Sequence, residues 1–163
     1  MNEATSAAEA AVTGVEHWTD KGGVRLFLWQ KYAGSPDGKP CVLFVHGSSM
    51  ASQPTFDLVV PGRPDSSVMD WFARRGFECW CVDMEGYGRS SKHRDITCDI
   101  ANGADDLAAA TDYIMRTRGV KSFLVYGISS GALRAALFAE RHPDRVARLA
   151  LDRDREELVR RLE

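Results

Sequence analysis

Cys41-Val42-Leu43-Phe44-Val45 is apolar at every position. A strand exposed on one face alternates apolar with polar residues, so an unbroken apolar run marks a strand covered on both faces. Covering both faces of a sheet requires helices above and below it, and the remaining sequence supplies them. Asp65 to Arg75 reads as a helix stopped by Gly76, and Phe77 to Val82 as a second buried strand. Asp99 to Arg118 is an alanine-rich helix with Leu107, Ala110, Ile114 and Met115 near one face, ended by Gly119. Ser122 to Tyr126 reads as a strand, Ser130 to Arg141 as a helix, and Val146 to Leu151 as a last strand. Ahead of this series, Val15–Thr19 and Val24–Trp29 flank the turn Asp20-Lys21-Gly22-Gly23, which makes a hairpin. A hairpin followed by alternating strands and helices predicts an α/β fold with a mostly parallel sheet of about six strands.

At 163 residues the chain fits one domain. Residues 1–14, without pattern, are expected to form a loose terminus, residues 15–151 the core, and residues 152–163 a tail. The tail carries nine charged residues in twelve, with Glu156–Arg160 and Glu157–Arg161 spaced as helical pairs and Leu158 and Leu162 on one stripe. It reads as a charged helix. A net charge of −2 gives no basic footprint, so a nucleic-acid partner is not expected. No apolar run is long enough to span a bilayer, and no secretory leader pattern opens the chain, so a cytoplasmic setting without membrane attachment is expected. Cys79 and Cys81 alternate along one strand and face the same side, yet no CxxC or His-x-His spacing joins them. They read as small buried hydrophobes; no metal and no cofactor is expected.

The chemistry is carried by three turns, each after an apolar run. Gly127-Ile128-Ser129-Ser130-Gly131 matches G-x-S-x-G between a strand and a helix. A serine on so sharp a turn needs glycine on either side, because Cβ atoms at positions 127 and 131 would meet neighbouring chain. The turn lifts the Ser129 hydroxyl above the sheet edge, before a helix N-terminus that favours developing negative charge. A plain strand–turn–helix junction built of small residues is the alternative. His46-Gly47-Ser48-Ser49 follows the strand Cys41–Val45, and Asp83-Met84-Glu85-Gly86-Tyr87-Gly88-Arg89-Ser90 follows the strand Phe77–Val82.

In these three turns, in this order, the sequence resembles the α/β-hydrolase family from about Val15 to Leu151. The resemblance implies a serine hydrolase with Ser129 as nucleophile and the backbone N–H groups of Ser48 and Ser130 as oxyanion hole, supported by Gly47, Gly127 and Gly131. A dehalogenase or epoxide hydrolase of this family would carry Asp at the position of Ser129. Serine implies a small-molecule substrate with an acyl bond (ester, thioester or amide), or a carbon–carbon bond. His46 reads as a loop pin rather than a base, and His142 as a helix-end histidine. His17 falls in the first hairpin, and only the loop of His93 could approach the site.

The family's triad continues with an acid and then a histidine. Here no histidine follows His142, and the twelve residues after Leu151 leave no room for a seventh and eighth strand. The expectation is a fold truncated after its sixth strand, with the catalytic histidine absent from the chain. Asp152 stands where some family members keep their acid, or else it caps the tail helix. The last strand would be an edge, covered by the tail helix or by a second chain that completes the sheet. A non-catalytic module of the same fold, binding a small ligand or a partner chain, is the competing reading.

Overall fold

A computed structural model describes residues 10–152. Its elements run β1 (Val12–Lys21), β2 (Val24–Ala33), β3 (Cys41–Val45), α1 (Ser52–Phe56), α2 (Val68–Arg74), β4 (Glu78–Val82), α3 (Ile100–Arg118), β5 (Phe123–Ile128), α4 (Ser130–Arg141) and β6 (Val146–Asp152), with a 3₁₀ turn at Pro143–Arg145 before β6. They form the expected α/β architecture: one six-stranded sheet in the order β1-β2-β4-β3-β5-β6. β1 pairs with β2, and β2 with β4, antiparallel; β4, β3, β5 and β6 run parallel.

Side-chain alternation divides the core into two layers. Leu43, Val45, Trp80, Val82, Phe123 and Val125 pack against Leu107, Ala110 and Ile114 of α3 and Ala135 and Phe138 of α4. The opposite face of the same strands presents Val42, Phe44, Cys79 and Cys81 to Phe56 of α1 and to Met69 and Ala73 of α2. Helices therefore cover both faces, as the unbroken apolar run of β3 requires. Cys79 and Cys81 do share a side, and burial pushes the Cys79 thiol up to about 12. Cys41 is also buried, whereas Cys98 is partly exposed.

Several boundaries differ from the sequence reading. β1 begins at Val12, paired with Ala33, so residues 12–14 belong to the sheet rather than to a loose terminus. Strand pairing with a long partner extends β1 past the point where its own side-chain pattern fades. The short helix α1 has no counterpart in the sequence reading; the buried Asp83 carboxylate accepts from the Ser52 N–H and hydroxyl (2.8 and 2.5 Å) and anchors it. α2 starts at Val68 rather than near Asp65, because Ser67 caps it by accepting from the Asp70 N–H. Asp152 is the last residue of β6; the rest of the expected tail helix, like residues 1–9, lies outside the described residues.

Part of the face covered by α1 and α2 stays open. Beside β5 and β6, where no described helix lies, a trough of about 640 Å³ is lined by Phe44, Phe56, Phe72, Leu124, Tyr126 and Ile128, among others. Phe44 organises its floor, with its ring 5.1 Å from Phe56, 5.5 Å from Phe72 and 6.1 Å from Tyr126. Replacing Phe44 with Ala removes all three contacts from a side chain that is 1% exposed. The expected cost is about 3–5 kcal/mol. Urea titration checks it, with a lowered midpoint at an unchanged slope.

Candidate active site

The sheet order itself marks where a site can form. The chain leaves β3 toward α1 and α2 on one face and leaves β5 toward α4 on the other, although β3 and β5 are neighbours. A crevice opens at the carboxyl ends of two such strands, and ligands of open α/β sheets bind there. The loops that meet at this crevice are His46–Ser49 and Gly127–Gly131.

Ser129 is the one non-glycine residue with positive φ among the described residues, at φ 57° and ψ −130°. That conformation costs on the order of 1–3 kcal/mol and persists only where the surroundings enforce it. Here they do. A Cβ at Gly127 would lie 2.6 Å from the Gly131 carbonyl oxygen, and one at Gly131 would lie 2.3 Å from the Val45 oxygen and 2.5 Å from the His46 oxygen. The Ser129 N–H donates to the Asp152 carbonyl at 2.8 Å, so the end of β6 grips the turn from outside. Although Ser129 is the N-cap of α4, its hydroxyl makes no capping bond and stays available.

Gly47 brings the second loop against this serine. A Cβ there would stand 3.0 Å from the Ser129 Cβ and 3.3 Å from its hydroxyl oxygen. The Ser48 and Ser130 hydroxyls are hydrogen-bonded at 2.6 Å. The structure thus joins Gly47, Ser48, Ser129 and Ser130 at one point, four of the positions that the sequence singled out.

His46 fixes the loop from below. Its Nε2 accepts the Met84 N–H at 3.0 Å and its Nδ1 lies 2.6 Å from the Gly47 oxygen, partners that assign the neutral Nδ1–H tautomer. Burial holds the imidazole below its usual 6.5, outweighing the bond to Gly47. Tyr87 packs edge-on against it, with centroids 4.9 Å apart. The Asp83–Ser90 turn supports the same region: Asp83 Oδ2 accepts from the Arg89 N–H at 2.8 Å, and Ser90 donates to the Asp83 carbonyl while accepting from the Phe27 N–H. Gly88 is obligatory there, since a Cβ would fall 2.0 Å from Asp83 Oδ2.

Two participants were not visible in the sequence. Arg134, 2% exposed on α4, donates through Nη1 to the carbonyls of His46 (3.0 Å) and Gly47 (3.3 Å), clamping the loop that precedes Ser48. Its room comes from Gly103 on α3, where a Cβ would lie 2.5 Å from the Arg134 Cδ. A helix arginine normally reads as solvent-facing, and only that facing glycine hints otherwise. Tyr126 is the second; its hydroxyl donates to Asp152 Oδ2 at 2.9 Å, and burial together with that carboxylate pushes the phenol up to about 12. Asp152 is therefore engaged twice, by its carbonyl with Ser129 and by its carboxylate with Tyr126.

The histidines lie as follows. His17 is held between Tyr113 and Gln30, each at 2.9 Å; His46 is engaged as above; His142 ends α4 against Phe138; His93 lies in an exposed loop. Among the described residues, none hydrogen-bonds the Ser129 hydroxyl. No described helix is long and apolar enough to cross a membrane.

A family profile described as alpha/beta hydrolase fold matches residues 40–154. The chain belongs to the α/β-hydrolase fold family. It is 32% identical over 129 residues to a proline iminopeptidase of Neisseria meningitidis, covering 78% of this chain and 36% of that one. It is 33% identical over 108 residues to lipase lipl-5 of Caenorhabditis elegans, covering 60% of this chain and 26% of that one. The crystal structure of epoxide hydrolase A from Mycobacterium thermoresistibile superposes with a TM-score of 0.64 at 27% identity, over 85% of this chain and 39% of that one. The chain spans about a third of the length of the first of these relatives and corresponds to the N-terminal portion of the α/β-hydrolase fold.

Two outcomes follow for this α/β-hydrolase chain. Gly131→Ala forces a methyl group into the Val45 and His46 carbonyls, and it is expected to destabilise the fold by about 1–3 kcal/mol, read as a lowered thermal midpoint. Because burial lowers the folded-state value of His46, the unfolded state binds more protons once the pH falls below 6.5. This residue's contribution to stability therefore declines as the pH drops below 6.5. Urea midpoints measured from pH 7 downward are expected to fall more steeply for the native chain than for His46→Gln.

Proposed function

We propose that this chain carries the nucleophile and oxyanion-binding parts of a serine hydrolase acting on acyl bonds. Ser129 attacks the acyl carbon, and the N–H groups of Ser48 and Ser130 stabilise the tetrahedral oxyanion. The observation behind this reading is the left-handed Ser129 with an uncommitted hydroxyl, held against Gly47 and Ser48. Two such donors matter because removing one costs roughly 3 kcal/mol of transition-state stabilisation where this has been measured. Serine rather than aspartate at this position favours an acyl-enzyme route, and the iminopeptidase and lipase named above are relatives with which amide or ester cleavage is consistent.

The proton acceptor is a histidine outside this chain, whose four histidines all fall elsewhere. The neutral tautomer of His46, with both nitrogens engaged, serves as a support and not as that base. We assign Asp152 a positioning role in the same scheme: its carbonyl sets the Ser129 amide, while its carboxylate answers Tyr126 instead of an imidazole. The substrate is a small molecule, and the chemistry requires neither metal nor cofactor.

The absence of a histidine contact to Ser129 keeps a second reading in view, an inert module of the same fold. A fluorophosphonate probe separates the two. Activated serine labels, and Ser129→Ala abolishes the labelling; p-nitrophenyl acetate hydrolysis falls to background in the same variant. A native chain that neither labels nor hydrolyses the acetate ester favours the inert module. Because triad members act as a unit, hydrolysis in the absence of the base is expected to lie several orders of magnitude below that of a complete enzyme.

A further inference from the structure

Arg134 is a cation sealed inside the protein without a counter-ion. The residue is buried, and among the described residues no carboxylate forms an ion pair with it. Its Nε has no hydrogen-bond partner, and its guanidinium carbon lies 5.4 Å from the centre of the Tyr87 ring. An unpaired charge is costly to bury, and an apolar side chain would fill the same space at less cost. The fold nevertheless keeps a niche for this one, open only because Gly103 carries no side chain.

What the guanidinium holds is backbone. Nη1 donates to the His46 carbonyl at 3.0 Å and to the Gly47 carbonyl at 3.3 Å, and the Gly47 oxygen also accepts from His46 Nδ1 at 2.6 Å. Two donors thus converge on one oxygen and use both of its lone pairs. That oxygen and the Ser48 N–H belong to a single peptide unit. The unit is planar and trans, so fixing its oxygen toward Arg134 and His46 turns the Ser48 N–H away from them. Among the described residues neither this N–H nor that of Ser130 has a backbone acceptor.

Granted the serine-hydrolase reading above, on which this role rests, the geometry points to Arg134 as a positioning residue of the oxyanion hole. It acts through the Gly47–Ser48 peptide, aiming and strengthening the Ser48 N–H. A hydrogen bond to an amide oxygen polarises the whole unit, so a charged donor at the Gly47 oxygen makes the Ser48 N–H a better donor in turn. The charge itself also favours an anion forming at that N–H, because little water lies between to screen it. After the larger effect of burial, it further helps to hold His46 below its usual 6.5, in the neutral form whose Nε2 accepts from Met84.

Two measurements on the same chain test this role: the rate at which a fluorophosphonate labels Ser129, and the amide proton resonances of Ser48 and Ser130. Arg134→Met keeps the length of the side chain but removes its charge and its donors. It is expected to slow labelling by at least about tenfold and to move the Ser48 resonance upfield, leaving that of Ser130 in place. Arg134→Ala empties the niche, and millimolar guanidinium is expected to restore its labelling rate but not that of Arg134→Met, whose side chain fills the space. Gly103→Ala displaces the guanidinium without altering Arg134 and is expected to move the Ser48 resonance in the same direction, whether or not the other variants fold. A role confined to packing would shift both amides together and leave guanidinium without effect, and either result overturns the assignment. Labelling of Arg134→Met at the native rate overturns it too, while leaving Ser129 as nucleophile intact. A native chain that does not label defeats the hydrolase reading instead; the Ser48 resonance then decides the peptide link alone, a selective shift upholding it and no shift overturning it.

Discussion

The molecule depends on a crossing too tight for a side chain. The first turn of α4 passes over the end of β3 so closely that the α-carbon of Gly131 faces the Val45 and His46 carbonyls with room for hydrogen alone. This contact sets the height of α4 against the sheet, and with it the angle at which the chain turns from β5. Gly127 permits the same turn from its other side. Ser129, caught between them, has no relaxed conformation to adopt. Its positive φ is a consequence of packing on both sides, and the resulting exposure of its hydroxyl is what a nucleophile needs.

Around that crossing, backbone groups do most of the holding. The Asp152 carbonyl takes the Ser129 amide, Arg134 takes the His46 and Gly47 carbonyls, and His46 takes the Met84 amide. Together these bonds tie β6, α4, β3 and the turn after β4 to one small region. Buried polar groups of this kind contribute only modestly when satisfied but cost much when left alone. The arrangement therefore favours one geometry over nearby ones more than it adds to overall stability. Preorganisation of that sort is what an oxyanion site requires, because donors that must reorient during the reaction lose most of their benefit.

The legible parts of this architecture were those written in side-chain pattern. The apolar run of β3 demanded cover on two faces, and the glycines on either side of Ser129 declared close approaches in their residue type. Boundaries held by partners were not legible. Val12 joins the sheet because Ala33 is there to receive it, and Ser52 starts a helix because Asp83 accepts from it. The Asp152 carbonyl was hidden for a stronger reason: every residue has one, so its contact with Ser129 leaves no mark in residue type. Arg134 was hidden by its helix, where a charge ordinarily signals solvent.

The distribution of thiols has a practical corollary. Cys41, Cys79 and Cys81 are sealed in the strands, while Cys98 is partly open to solvent in the loop before α3. A soluble disulfide reagent should therefore count one accessible sulfhydryl in the native protein and four after denaturation. The difference is a built-in tally of the folded fraction that needs no attached label.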